Sequence, residues 1–256
     1  MTQELDRVLN LYKKKSETPL QTIERYVLAH PELKKTKMTY AGRLDPMAEG
    51  LLLVLSGEKN KERDTYTGMD KDYEFEFMLG VDTDTHDVLG KVASISDKVT
   101  TEAKIKKALA KYTGTFKQQY PAYSSKVVNG IPLFDYARRG KIDSIVRPEH
   151  DVTVTRLELT GQRSISKEKV WEDIETFVKA VDGDFRQKEI VNGWHEFFNG
   201  TDKTEFTIYK AKVSCGSGFY VRQLVSDLGK DLGTGAVTIS ILRTRVGEYK
   251  LEDSIK

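Results

Sequence analysis

A single carboxylate, Asp45, stands directly before a proline in the stretch TYAGRLDPMAEG, Thr39 to Gly50, with glycines at Gly42 and Gly50. The apolar run LLLVL follows at once. An acid before a proline is a common turn device. A carboxylate at the mouth of a buried strand can also act as a covalent nucleophile, provided it is held ionised and aimed. An ionised carboxylate in a partly buried place calls for a cationic partner. Two arginines are candidates: Arg43, two residues earlier, and Arg222, inside GFYVRQLVSDLG. Arg222 follows Val221 and precedes Leu224 behind a Gly-rich turn, where a charge is costly to bury unpaired. The alternative for Arg222 is a solvated face of an amphipathic helix, and for Asp45 a turn. Residue type and spacing leave both pairs of readings open.

Other motifs carry less. DTDTHD, Asp82 to Asp87, has calcium-loop spacing at Asp82 and Asp84, but His86, Asp87 and Ala93 stand where such a loop needs an oxygen ligand, a glycine and a glutamate. GSG at Gly216 to Gly218 does not continue as GxGxxG, and GTG at Gly233 to Gly235 follows a helical period rather than a strand, so neither marks a dinucleotide site. The four histidines are scattered, with no HExxH and no paired cysteines, which argues against zinc. Cys215 reads as a small buried hydrophobe rather than a nucleophile.

The elements that must hold such a site follow from hydrophobic period. Thr18 and Pro19 read as N-cap and first residue of a helix whose apolar face is Leu20, Ile23, Tyr26 and Val27, ending at Pro31. Further amphipathic faces are Ile105, Ala108, Leu109 and Tyr112, stopped near Gly114; Val170, Ile174, Phe177, Val178 and Val181, ending at Gly183; and Val221, Leu224, Val225, Leu228 and Leu232, ending at Gly233. Leu51 to Leu55 is a continuous buried strand. Tyr73, Phe75, Phe77 and Leu79 alternate with Glu74, Glu76 and Met78 as in a half-exposed strand. Val152 and Val154, and the stretch from Phe206 to Val213, are also β-like. Strands and helices mix without a βαβ rhythm, which predicts an α+β fold with a largely antiparallel sheet.

The chain has 256 residues, 38% hydrophobic and 31% charged, with a net charge of +2, which is a globular balance and not a polycation. Lysines and arginines nonetheless cluster at Lys13 to Lys15, at Lys34, Lys35 and Lys37, and at Arg138, Arg139 and Lys141, where they can meet phosphates or form a solvated surface. No apolar run approaches the roughly 20 residues of a membrane span. The N-terminal residues lack the features of a secretory signal, and a single cysteine excludes an internal disulfide, so a reducing cytoplasm is expected. No internal repeat or long linker interrupts the chain, and one domain over 1–256 is expected.

Several segments, in order along the chain, resemble the TruB-type tRNA pseudouridine synthases. AGRLDPMAEGLLLVLSGEKNK is similar to that family's catalytic G-x-L-D-P segment. KDYEFEFMLGVDTDTHDVLGKV resembles the next, a tyrosine before a strand and an acid-rich turn. FKQQYPAYSSKVVNGIPLFDYARRG, Phe116 to Gly140, resembles Q-x-P-x-Y-S-A-x-K-x-x-G-x-x-x-Y-x-x-A-R-x-G. CGSGFYVRQLVSDLG resembles C-x-x-G-x-Y-I-R-x-L-x-x-D-L-G, and LRTRVGEY resembles L-R-R-x-x-x-G-x-[FY].

The resemblance implies a pseudouridine-synthase-like fold, a mixed, largely antiparallel central sheet flanked by helices and loops. It implies that Asp45 is the nucleophile, that Arg222 pairs with its carboxylate, and that Tyr73 stacks on the target base. Leu242 would help form the apolar wall of the base pocket, and Lys13 would take the place of the family's lysine near the first strand. Lys126, Arg138 and Arg139 would contact RNA. The implied substrate is uridine 55 in the T loop of tRNA, with no cofactor and no metal, and a monomer is expected. Two alternatives are another RNA target for the same chemistry, and a non-catalytic tRNA-binding or folding protein; the joint presence of Asp45, Tyr73 and Arg222 speaks against the latter.

The chain departs from the family pattern at four places. Tyr40 stands where many relatives have histidine, and can stack or donate a hydrogen bond but not carry a positive charge near neutral pH. K-P-x-G appears as Lys13-Lys14-Lys15-Ser16, and the P-P before Y-S as Tyr120-Pro121-Ala122. The sequence runs 14 residues past Leu242, and no further RNA-binding module is expected there. The stretch from Phe185 to Phe206 has no echo in the family; Trp194, Phe197 and Phe198 with His195 read as a hydrophobic anchor under a loop or, alternatively, a stacking patch for bases.

Overall fold

A computed structural model of the chain describes residues 6–256. The strands are β1 (Val8–Lys13), β2 (Met38–Ala41), β3 (Ala48–Ser56), β4 (Lys71–Leu79), β5 (Val81–Thr83), β6 (Val92–Ile95), β7 (Gly114–Gln119), β8 (Val127–Val128), β9 (Ile131–Pro132), β10 (Glu149–Ser166), β11 (Glu205–Cys215), β12 (Ala236–Val246) and β13 (Tyr249–Lys250). The α-helices are α1 (Pro19–Ala29), α2 (Arg63–Gly68), α3 (Glu102–Leu109), α4 (Leu133–Arg138), α5 (Lys167–Ala180), α6 (Gln187–Asn199) and α7 (Val221–Leu232). Among the described residues, nine strands make the central sheet in the order β1-β3-β12-β4-β11-β10-β7, with β2 beside β3 and β13 beside β12. Its pairings are antiparallel except that of β3 with β12, which is parallel. The fold is therefore α+β with a mixed, largely antiparallel sheet, as the sequence pattern predicts.

The main core lies where α3, α5, α6 and α7 cover the centre of the sheet, joining Ile105, Ile174, Trp194 and Leu224 to Phe75, Phe77 and Ile208. β3 reads as an unbroken apolar run because both its faces are covered. Leu52 and Val54 pack with Ile23 of α1, while Leu51, Leu53 and Leu55 pack with Ala41 and Val246.

α1 starts as its sequence dictates. Thr18 accepts from the Gln21 backbone N–H at 3.2 Å, and Gln21 Oε1 accepts from the Thr18 N–H at 2.7 Å, a complete capping box with Pro19 following the cap. Its buried face is Pro19, Thr22 and Ile23, and Leu20 is 58% exposed, one position off the expected stripe. Within the stretch from Phe185 to Phe206, Gln187–Asn199 form α6. Ile190, Trp194, Phe197 and Phe198 are buried there, and Trp194 donates to the Val88 carbonyl at 3.2 Å. These rings are core, not a stacking patch for bases. Among the described residues, no helix is long and apolar enough to cross a membrane.

α7 sits against the start of β12 through a glycine. A Cβ on Gly229 would lie 2.4 Å from the Ala236 nitrogen and 2.5 Å from the Gly235 carbon, both backbone atoms. The chain turns back there through left-handed Gly233, and the N–H groups of Thr234 and Gly235 donate to the Gly229 carbonyl. Helix propensity alone favours Gly229→Ala by roughly 1 kcal/mol. The contact reverses the sign: overpacking costs about 1–3 kcal/mol, so the variant melts several degrees lower in a thermal unfolding scan.

Candidate active site

The turn between β2 and β3 carries Asp45. The Asp45 carbonyl accepts from the Ala48 N–H at 3.0 Å and the Pro46 carbonyl from the Ser16 N–H at 2.9 Å, so the turn is closed on itself and tied to the chain after β1. Its glycines have separate reasons. Gly42 has φ +77, a conformation unfavourable for other residues. Gly50 has φ +108, and a Cβ there would lie 2.4 Å from the Arg243 carbonyl oxygen of β12, the parallel neighbour of β3.

Two buried cations hold this turn from behind. Arg243 on β12, wholly buried, donates from Nε to the Leu51 carbonyl at 2.7 Å and from Nη2 to the Gly42 carbonyl at 3.1 Å. Lys13 at the end of β1, also wholly buried, donates to the Ala48 and Lys14 carbonyls. Burial pushes the Lys13 ammonium down from 10.5 to about 8, partly offset by the nearby Asp45 carboxylate.

Arg222 comes from 177 residues away to meet Asp45, at the first turn of α7. Its Nη2 and Nε lie 2.7 and 2.9 Å from Asp45 Oδ2. The start of α7 is fixed by Gln118 of β7: Gln118 Oε1 accepts from the Tyr220 N–H at 2.8 Å, and its Nε2 donates to the Tyr220 carbonyl at 3.1 Å. Arg222 is 3% exposed and donates to the carbonyls of Thr85 at 2.6 Å and Tyr123 at 3.4 Å. A second carboxylate, buried Asp87, lies 3.4 Å from its Nε and accepts from Thr85 Oγ1 and the Leu89 N–H. Burial raises the Asp87 pKa, with Arg222 acting in the opposite direction. Burial also works against the charge on Arg222, but Asp45 and Asp87 outweigh it and raise its pKa. Of the two candidate partners for Asp45, Arg43 is exposed, with its carbonyl accepting from Arg243 Nη1, and Arg222 makes the ion pair.

These groups line a cavity of about 620 Å³. Asp45, Asp87 and Arg222 form its polar floor, and Tyr73 and Ile241 stand in its wall. Tyr73 is 8% exposed, and burial raises its phenol to about 12. Lys71, buried beside them, donates to the Thr67 and Met69 carbonyls; burial, then Arg243, lowers it to about 8. Three exposed arginines, Arg43, Arg63 and Arg138, ring the mouth.

The structure brings Asp45, Tyr73, Arg222 and Arg138 to one cavity. Other expected positions fall elsewhere. Leu242 is not among the lining residues; successive residues of a strand face opposite sides, so Ile241 and Arg243 look into the cavity and Leu242 pairs with Glu49 and Glu74 on the other face. Tyr40 packs into the hydrophobic cluster with Tyr26, Val27 and Met38, outside the cavity lining. Lys13 is sealed under the turn, where no phosphate can reach it; of its neighbours, Lys14 is exposed and Lys15 lies 4.2 Å from the Phe177 ring centroid. Lys126 is exposed, with its ammonium 5.1 Å from the Tyr120 ring centroid, and Arg139 is exposed at the end of α4. The acids of DTDTHD diverge to separate partners, Asp82 to His86, Asp84 to Arg186 and Asp87 to Arg222. Cys215 is buried with its thiol pushed up to about 12 by burial. Sequence reasoning missed Asp87, Gln118 and Arg243. All three lie inside quoted motifs, but a polar residue in a motif does not reveal by type alone whether it faces a site or a backbone.

The family model for the N-terminal domain of TruB family pseudouridylate synthases matches residues 30–187. The chain belongs to the TruB family. Two of its TruB relatives, both called tRNA pseudouridine synthase B, come from Lactobacillus delbrueckii subsp. bulgaricus, 34% identical over 87% of this chain and 63% of that protein, and Aromatoleum aromaticum, 32% identical over 98% and 66%. The chain thus spans somewhat under two thirds of the length of these curated relatives. Among solved structures, a chain from the crystal structure of a Cbf5-Nop10-Gar1 complex matches with a TM-score of 0.57 at 17% identity, over 95% of this chain and 49% of that one. A chain from an H/ACA RNP bound to a substrate RNA containing 2'-deoxyuridine matches with a TM-score of 0.55, also at 17% identity, over 97% and 50%. At that identity the likeness shows the fold, and the fold is the one the TruB resemblance implies.

Lys13 provides a pH test of this geometry. Its pKa is 10.5 in the unfolded chain and about 8 when folded, so between those values the unfolded chain binds more protons. Burying the charged ammonium costs stability in full below pH 8, and the cost is relieved as pH rises toward 10.5. Denaturant melts of the wild type and of Lys13→Met should therefore differ by an amount that shifts in favour of the wild type across this window and is flat below it.

Proposed function

We propose that this chain is a tRNA pseudouridine synthase that isomerises uridine 55 of the T loop, with Asp45 as its nucleophile. The observation that carries the reading is the Asp45–Arg222 pair on the floor of a cavity walled by Tyr73, in a chain of the TruB family. Pseudouridine formation breaks the N1–C1′ bond of uridine, turns the base and joins its C5 to C1′. Nothing is oxidised and no group leaves, so the reaction asks for a nucleophile, a proton acceptor for C5 and a pocket that keeps the detached base. Arg222, with its charge reinforced by two carboxylates, pairs with Oδ2 of Asp45 and fixes the direction of the other carboxylate oxygen. Tyr73 is protonated at neutral pH and offers its ring as a surface for the uracil. The apolar side of Ile241 narrows the same wall.

The target base must leave its stack to reach this floor, at a cost of roughly a few kcal/mol. A T loop suits that need because its bases can be splayed out. In this reading Arg43, Arg63 and Arg138, exposed and lining the cavity, and the exposed Lys126 and Arg139 would meet the phosphates of the same RNA.

Incubation with unmodified tRNA and mapping of the product by position tests the reading. The wild type should form pseudouridine at position 55 and Asp45→Asn none; wild-type product only at other positions would remove the T-loop assignment. Arg222→Ala should lose about a hundredfold or more in turnover, as expected when a group that stabilises reacting charge is removed, while binding tRNA nearly as well. Equal losses in both would refute the pairing role.

A further inference from the structure

One charged cluster beside the cavity is not used by the chemistry above. The loop from Val181 to Arg186 joins α5 to α6 and is braced by the first side chain of α6. Gln187 Nε2 donates to the Val181 and Gly183 carbonyls at 2.9 and 2.7 Å, and Gln187 Oε1 accepts from the Phe185 N–H at 3.0 Å. This brace presents Arg186 in a left-handed conformation, φ 62 and ψ 30, which a long side chain rarely adopts. From there its guanidinium reaches Asp84 with both terminal nitrogens, Nη1 to Oδ2 at 2.6 Å and Nη2 to Oδ1 at 3.4 Å. It also lies over the Tyr123 ring, 4.6 Å from the centroid. Tyr123 closes the triangle by donating its hydroxyl to Asp84 Oδ2 at 3.2 Å. Three segments distant in sequence are thus fastened at one point, and Tyr123 and Arg186 both line the cavity.

The two ends of this clasp lead to Arg222. Its carbonyl acceptors are Tyr123 and Thr85, the residue after Asp84. We propose that Arg186 is a positioning residue: by fastening Asp84 to Tyr123 it places the two carbonyls that orient the Arg222 guanidinium, and through it the Asp45 carboxylate. Its charge is committed to Asp84 and its planar face to Tyr123, so it is not free to serve as a phosphate contact like the exposed arginines of the mouth. The effect on turnover rests on the synthase reading above; the clasp itself does not.

A double-mutant cycle of Asp84→Asn and Arg186→Gln tests this. Each single variant should lower kcat for pseudouridine formation by roughly tenfold to a hundredfold, the scale expected from a small misplacement of reacting groups. KM and the salt dependence of tRNA binding should stay unchanged. The double variant should be no worse than either single one, because one unit is broken in each. Arg186→Lys, which keeps the charge but loses the planar fork and the stack, should fall between wild type and Arg186→Gln. In the free protein, amide hydrogen exchange across residues 120–126 should quicken in both single variants with the global melting temperature nearly unchanged. A weaker tRNA affinity in Arg186→Gln alone, with a salt slope reduced by about one, would make Arg186 a phosphate contact and overturn the proposal. Additive losses in the cycle, or unchanged exchange at 120–126, would also overturn it. If the wild type forms no pseudouridine, the synthase reading fails and the exchange measurement still decides the clasp.

Discussion

A guanidinium buried as deeply as that of Arg222 is tolerable only if counter-charge and acceptors surround it, since desolvating an ion costs on the order of several kcal/mol. Here the surroundings are four groups from three parts of the chain: the carboxylates of Asp45 and Asp87 and the carbonyls of Thr85 and Tyr123. Each of these groups is held by its own neighbours, Asp87 by Thr85 and Leu89, Tyr123 through the Asp84–Arg186 contact, and the helix start itself by Gln118. Satisfying one cation therefore fixes the turn after β2, the acid-rich turn after β5, the loop after β7 and the first turn of α7 relative to one another. The same arrangement leaves the Asp45 side chain 31% exposed to the cavity, paired but still accessible.

The sheet supplies the rigid side of the site. β3 and β12 are its parallel pair, and their close approach at Gly50 and Arg243 puts the Asp45 turn directly over β12. Arg243 donates to carbonyls of that turn and of β3, and Lys13 to those of Ala48 in β3 and of Lys14. A turn between strands is ordinarily a mobile feature. Here Arg243 takes the Gly42 and Arg43 carbonyls and backbone N–H groups take those of Asp45 and Pro46, which suits the fixed placement that the proposed nucleophile needs.

Much of the fold was legible because its signals are local. The capping box at Thr18, the alternation from Tyr73 to Phe77 and the doubly covered run from Leu51 to Leu55 each depend on residues close in sequence. The errors are those of phase. Leu20 misses the buried stripe of α1 by one position, and Leu242 misses the cavity by one position on β12, where a single-residue step changes the face of the sheet. Trp194, Phe197 and Phe198 were visible as an apolar group, but whether such rings are exposed depends on what packs against them, and the sheet and α5 do so here.

For the site itself, the sequence alone determined the groups: an acid held between glycines before a buried strand, an arginine in an apolar helix start, and an ordered set of motifs that resemble one family. Residue type and spacing left Arg43 and Arg222 both open as the partner of Asp45, and the resemblance alone pointed to Arg222; nothing in the sequence turned the acids of DTDTHD from an apparent metal loop into a counter-charge for Arg222 and an anchor for Arg186. Those decisions belong to the tertiary structure. Asp45 and Arg222 are 177 residues apart, and whether two charges that far apart in the chain attract or never meet depends on the few ångströms between them in the folded molecule.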